Sequence, residues 1–202
     1  MLEGCSFYIR MHNIHLVKRK ITQVIKGSSV PEDSVHSKNT LEWLLKIMPD
    51  ANESLKIAAL GHDIERAIKN RKVNRQHYKN YDAFKDAHAL NSANILVEIM
   101  KAYDIDKNMI DEVFSLVRHH ETGGTDKIDI LKDADSISYF DVNLPHYFMR
   151  NSYQETKRRC LWGYERLSDT GKQTIAKFNY QNKEIESLLN TWINECKQEI
   201  LG

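Results

Sequence analysis

Little in this chain marks it for export, for a membrane or for nucleic acid. Its three cysteines, Cys5, Cys160 and Cys196, are far apart, odd in number and without a CxxC pair. That argues against a disulfide framework and suits reduced thiols in a cytoplasm. Three prolines and eight glycines in 202 residues leave no linker, repeat or low-complexity stretch to mark off a second domain. No apolar run approaches the roughly 20 residues of a membrane helix. Arg10, Lys18, Arg19 and Lys20 arrive where a signal peptide would be apolar. Net charge is only +1, so the molecule as a whole is no glove for DNA or RNA, and nucleic acid is not an expected partner. The expectation is a cytoplasmic protein, long enough to bury a substantial core. A homo-oligomer is compatible with the sequence and not required by it.

What the chain does have is helical spacing almost throughout, with little β-branched alternation. A first helix is predicted over 6–26, stopping near Gly27. "SVPE" reads as the next start, with Ser29 as cap, Pro31 in the first turn and Glu32 closing a capping box. That helix carries His36 and the stripe Leu41, Leu44, Leu45, Met48 until Pro49 stops it. Asp50 and Glu53 open a third. A basic, irregular connector precedes a helix near 83–102 bearing His88. Another over about 106–120 ends in His119-His120-Glu121, before Gly123 and Gly124. A helix near 126–140 carries "DILKDADSISYF", and three more helical segments follow Leu144. The fold class is all-α, a single-domain helical bundle.

The stretch "AALGHDIERAI" at 58–68 poses the functional question. It sets His62 and Asp63 at the end of a run that belongs in a core. A buried charge is costly unless it is paired or holds a metal. Further candidate ligands are His36, His88, His119, His120 and either Asp133 or Asp135. They lie on or beside apolar stripes of five predicted helices, so a bundle burying those stripes can gather them. His120 follows Met109, Val113 and Leu116 at i+11, i+7 and i+4, which puts it on the buried face.

In order and residue type this resembles the HD superfamily of metal-dependent phosphohydrolases, named for a His…His-Asp…Asp ligand pattern. The matching residues are His36 in "DSVHSKNTLEWLL", His62 and Asp63 in "AALGHDIE", and Asp135 in "ILKDADSISYFD". "KDAHALNSANILVEIM" and "LVRHHE" resemble that family's additional histidine-bearing segments. The resemblance covers about 30–142 and divides the chain into an N-terminal helix (1–29), a metal-binding core of HD type (30–142) and a helical extension packed on it (143–202). It implies Asp135 rather than Asp133 as last ligand, and His88 with His119 or His120 as donors to a second metal, Asp63 bridging. With a single metal, those histidines would instead contact substrate phosphate.

Imidazoles with carboxylates and no thiolate suit Mn, Fe, Co, Ni or Zn, as one or two ions, at an open rather than a closed structural site. Such an ion lowers the pKa of its bound water towards about 7 and so provides a hydroxide nucleophile. The expected activity is hydrolysis of a phosphate ester or phosphoanhydride in a small phosphorylated metabolite, foremost a nucleotide. Alternatives are a di-iron oxygenase of HD type and a non-catalytic nucleotide-binding module. From Arg66 to Tyr81, "RAIKNRKVNRQHYKNY" carries six cations and no acid. Arg66, Lys69 and Arg71 are its candidate substrate-binding residues, and most of the run reads equally as a solvated connector. Asp63, Arg66 and Glu65 are the catalytic candidates, Glu65 as a proton-transfer residue or as partner to Arg66. "YQETKRRCLWGYERLS" interleaves cations with Trp162 and Tyr164. It reads first as an amphipathic helix on the core, and second as a stacking surface for nucleotides.

Overall fold

A helix that is apolar on every side has to be surrounded, and residues 57–62 meet that demand. All six are buried, on a helix that touches four others. The arrangement comes from a computed structural model that describes the backbone of residues 2–201 and the side chains of residues 8–195. Cys5 and Cys196 lie outside the described side chains, while Cys160 is a buried free thiol.

Among the described residues all regular structure is helical. In chain order the elements are α1 (Leu2–Ile25), α2 (Asp33–Ile47), α3 (Glu53–Gly61), α4 (Tyr81–Ala102), α5 (Lys107–His119) and α6 (Asp126–Ser138). A π-turn over Tyr139–Asn143 leads into α7 (Leu144–Arg150), α8 (Tyr153–Glu165), α9 (Asp169–Ile175) and α10 (Lys183–Leu201). The connector after α3 contains two short 3-10 turns, Ile64–Ala67 and Arg75–His77. No helix among the described residues is long and apolar enough to cross a membrane.

Helix α3 is the hub, packed against α1, α2, α5 and α6; α4 runs along α5, and α2 along α6. Their apolar faces form one core around Val17, Leu44, Leu55, Leu96, Val113 and Leu131. Each such side chain contributes roughly 1.5–3 kcal/mol by leaving water. Helices α7 to α10 gather a second cluster around Phe140, Leu144, Cys160, Leu189 and Trp192, with Trp43 of α2 packed against both. The two clusters meet along α6.

Several starts and stops differ from the sequence expectation. The Ser29–Glu32 capping box does not form, because Glu32 is drawn into an ion pair with Arg150, a partner no local pattern supplies. Asn52, not Asp50, caps α3 by accepting from Leu55 N at 2.9 Å. The sixth helix ends at Ser138 rather than 140, and the C-terminal part holds four helices, not three. Gly123, at φ +80°, lets the chain reverse after α5 in a left-handed conformation that other residues resist.

Gly61 matters for a different reason: a Cβ there would lie 2.6 Å from Leu96 Cδ2 of α4. The bare backbone lets α4 pass close beneath His62. Gly61→Ala is therefore expected to lower stability by about 1–3 kcal/mol through overpacking. A urea midpoint equal to that of the parent would mean that Leu96 moves aside freely.

Candidate metal centre

Five elements end or turn at one place. His36 comes from the start of α2, His62 and Asp63 from the exit of α3, and His88 from the second turn of α4. His120 follows α5, and Asp135 lies in the last turns of α6. Two donor triads result, His36–His62–Asp135 and Asp63–His88–His120, and a third set adds Glu121 to His120 and Asp135. Within each set the donor atoms lie within 4.8 Å of one another.

The protein orients each ring from behind. His36 Nδ1 lies 2.9 Å from Ser138 Oγ, whose own hydroxyl donates to the His36 carbonyl, so the ring nitrogen is the donor. His62 Nδ1 faces the Ala59 carbonyl at 3.0 Å, and His120 Nδ1 the Val117 carbonyl at 2.7 Å. His88 Nδ1 donates to Glu65 Oε1 at 2.7 Å. All four Nδ1 atoms thus carry protons, and all four Nε2 atoms point into the cluster. This is the way metal-binding histidines are held in their tautomer.

The inward atoms crowd in a manner that calls for a cation. His36 Nε2 and His62 Nε2 are 3.2 Å apart, and Asp135 Oδ1 stands 3.1 and 3.3 Å from them. His120 Nε2 is buried without a hydrogen-bond partner, 3.3 Å from Glu121 Oε1. Burial depresses the His120 pKa, which keeps that ring neutral and its lone pair directed at a carboxylate. Lone pairs facing each other at these distances are relieved by a proton or a metal ion. Burial lowers the His62 pKa too, but the Asp63 and Asp135 charges outweigh it and raise it to about 9. Burial pushes the Asp63 and Asp135 carboxyls up; for both, the His62 charge is the foremost of the influences that hold them well below the usual range. Four nitrogens and three carboxylates fit a borderline divalent transition ion, and the cluster can hold one.

Asp63 stands between the triads: Oδ1 is 2.7 Å from His88 Nε2 and 3.8 Å from His62 Nε2, and Oδ2 is 3.9 Å from His36 Nε2. Asp133 points elsewhere, accepting from Ser168 N at 2.8 Å and from the Ser168 hydroxyl. His119 is not brought in either. It is exposed, with Nδ1 on the Ser115 carbonyl, because neighbouring residues on a helix point about 100° apart.

The basic connector contributes less than its composition suggests. Lys69 is exposed, and Arg71 pairs with Glu98 at 2.6 Å on the outside of α4. The chain leaves the helical phase at Ile64, so residues beyond Arg66 no longer face the cluster. Arg66 does, but it is engaged: its guanidinium spans Asp63 and Asp33 at 2.9 Å each. Its place is to hold Asp63. Glu65 is turned away from Arg66, accepting from His88 Nδ1 through one oxygen and from Val73 N at 2.8 Å through the other. Removing such a partner typically costs ~10–100-fold in metal affinity. Glu65→Ala is expected to show a loss of that size in a competition titration against a chromophoric chelator. An unchanged affinity would leave His88 outside the metal's coordination.

Four participants were not singled out as site residues from sequence. Ser138 orients His36. Arg166 reaches Asp135 at 3.4 Å, Glu121 at 2.9 Å and the His120 carbonyl at 3.1 Å. Lys85 pairs with Glu121. Glu121 itself sits next to His120 in "HHE", the one signal that could have found it.

A family model covers most of the chain, matching residues 11–188. The chain belongs to the DUF4202 family. That family is described as a domain of unknown function. The DUF4202 span takes in every residue of the cluster and runs on through α8 and α9. No curated protein and no solved structure matches the chain.

Proposed function

We propose that this protein is a metal-dependent phosphohydrolase of HD type, acting on a small phosphorylated compound, foremost a nucleotide. The observation that carries the reading is the set of four imidazoles, each locked with Nε2 inward, around Asp63 and Asp135 in the order His36…His62-Asp63…Asp135. That order and residue set resemble the HD ligand pattern. His36, His62, Asp63 and Asp135 would hold one ion, and Asp63, His88 and His120 would serve a second. Such an ion supplies Lewis acidity towards a phosphoryl oxygen and lowers the pKa of a water beside it.

The remaining groups have their tasks set by position. Arg66 fixes the Asp63 carboxylate against Asp33, and Glu65 fixes His88. Arg166 and Lys85 bring positive charge to the same edge of the cluster, where a phosphate would gain charge-assisted hydrogen bonds. The cluster also reaches solvent at Asp63 and Arg66, whose side chains are 13% and 31% exposed.

The test is elemental analysis of protein purified without chelator or a nickel column, followed by phosphate release from a panel of phosphorylated compounds. One or two ions of Mn, Fe, Co, Ni or Zn per chain, with turnover that depends on them, are expected. Failure to retain any metal after reconstitution would sink the reading. Two irons with oxygen uptake and no phosphate release would replace it by the oxygenase, a chemistry that the surplus of nitrogen donors permits.

A further inference from the structure

Two helical stripes face each other at the edge of the cluster. On α4, Tyr81, Lys85 and His88 share one face at i, i+4 and i+7. On α8 and its C-cap, Arg159, Trp162 and Arg166 share another at i, i+3 and i+7. The stripes meet at Trp162. Tyr81 stands edge-on to its indole, with ring centroids 5.1 Å apart, and Lys85 Nζ lies 5.6 Å from the ring. The guanidinium carbons of Arg166 and Arg159 lie 4.4 and 4.6 Å from it. Each stripe begins at the cluster, with His88 on one side and Arg166 on the other, and runs outward.

The cations along this wall are not equivalent. Lys85 is matched by Glu121, and Arg166 by Glu121 and Asp135. Arg159 has no ion-pair partner of this kind among the described residues, and its Nη1 is buried without a hydrogen-bond partner. Its guanidinium lies over two rings, 4.1 Å from Tyr139 and 4.6 Å from Trp162, with the Asp135 and Glu121 charges acting on it only from beyond contact. Gly163 lets the guanidinium lie close against α8, since a Cβ there would stand 3.3 Å from Arg159 Nη1 and 3.5 Å from Phe140 Cε2. Leaving a charged donor buried and unpaired is unfavourable unless a ligand satisfies it. A planar guanidinium between aromatic faces is suited to a phosphoryl group. The indole, already surrounded by three cations and Tyr81, supports charge here and is not a platform for a base.

We propose that Arg159, on the wall between α4 and α8, binds a second anionic group of the substrate, one phosphoryl unit beyond the group at the metal cluster. The substrate class is thereby narrowed to compounds with two or more linked phosphoryl groups, such as nucleoside di- or triphosphates. This rests on the metal-centre reading for which phosphoryl group reacts, but the subsite itself can be read by binding alone.

The experiment compares methylenediphosphonate, which is not hydrolysed at its bridge, with methylphosphonate by calorimetry on the full chain, with and without added Mn²⁺. The parent protein is expected to bind the diphosphonate at least tenfold more tightly. Arg159→Gln should abolish that preference while metal per chain and thermal midpoint stay the same. Arg159→Lys keeps the charge but not the plane, and should retain part of the preference. It decides the matter if the glutamine variant does not fold. A parent with no preference, or a preference undiminished in both variants, overturns the subsite. If the preference depends on Arg159 yet no phosphorylated compound is turned over, the hydrolase reading fails and the subsite stands.

Discussion

Asp63→Ala is expected to strip the protein of metal and activity while leaving its helices in place. Losing a group that merely orients a ligand costs ~10–100-fold in metal affinity. Asp63 touches both triads, so its loss should exceed that range and bring phosphate release to background. The fold is expected to survive because no partner is left stranded. Arg66 keeps Asp33 at 2.9 Å, and His88 keeps Glu65 at 2.7 Å. Removing one member of an isolated buried pair would cost about 3–5 kcal/mol; the second partners here avoid most of it. Circular dichroism and metal per chain check both halves, and a variant that retained its metal would remove Asp63 from the ligand set.

The same carboxylate shapes how chelator-treated protein responds to pH. The His62 pKa, 6.5 in isolation, is raised to about 9 in the fold: burial opposes the shift, and Asp63 and then Asp135 produce it. A raised pKa means that the folded state binds the proton more tightly, so the stabilisation is complete below 6.5. It fades as pH rises through about 9. Thermal midpoints of the stripped protein should therefore fall between those limits. In Asp63→Ala the decline should be smaller and should end at lower pH, because it starts at the unchanged 6.5 of the unfolded ring.

Much of the centre can be read in the sequence, and the parts that cannot share a physical reason. The helices repeat their apolar residues at local spacing, so α2, α4, α5 and α6 show themselves without tertiary information. His62 and His120 follow apolar stripes, and their burial follows from helical phase. The same phase turns His119 outward. Where the chain leaves the helix, phase carries nothing further: Ile64–Ala67 is a 3-10 turn, and Lys69 and Arg71 are aimed by it rather than by their charge. The contacts that complete the centre span the fold. Ser138 reaches His36 across 102 residues, and Arg166 reaches Asp135 across 31. Arg159 differs in kind, because what distinguishes it is the absence, among the described residues, of a carboxylate within ion-pair distance, and no sequence pattern records an absence in space. The stretch "YQETKRRCLWGYERLS", read first as an amphipathic helix on the core, divides for the same reason. Cys160 and Tyr164 pack into the C-terminal cluster, whereas Arg166 turns to Asp135 and, with Arg159, flanks the Trp162 ring.

Asp133 and Asp135 provide the sharpest contrast the chain offers, because two residues apart on a helix means nearly opposite faces. Both are almost equally buried, at 8% and 7% exposure, so burial does not separate them; partners do. Asp133 accepts from Ser168 N and its hydroxyl and thereby fixes the start of α9 to α6. Asp135 stands between His36 Nε2 and His62 Nε2 with Arg166 behind it. Asp135→Ala is expected to match Asp63→Ala in metal loss, with stability little changed because Arg166 retains Glu121. Asp133→Ala is expected to keep its metal and lose about 1–3 kcal/mol from the hydrogen bonds left unmade at Ser168. Metal per chain and urea midpoints, measured on both variants, separate the two roles. The reverse pattern would move the last ligand to Asp133, and the His…His-Asp…Asp order would no longer describe this centre.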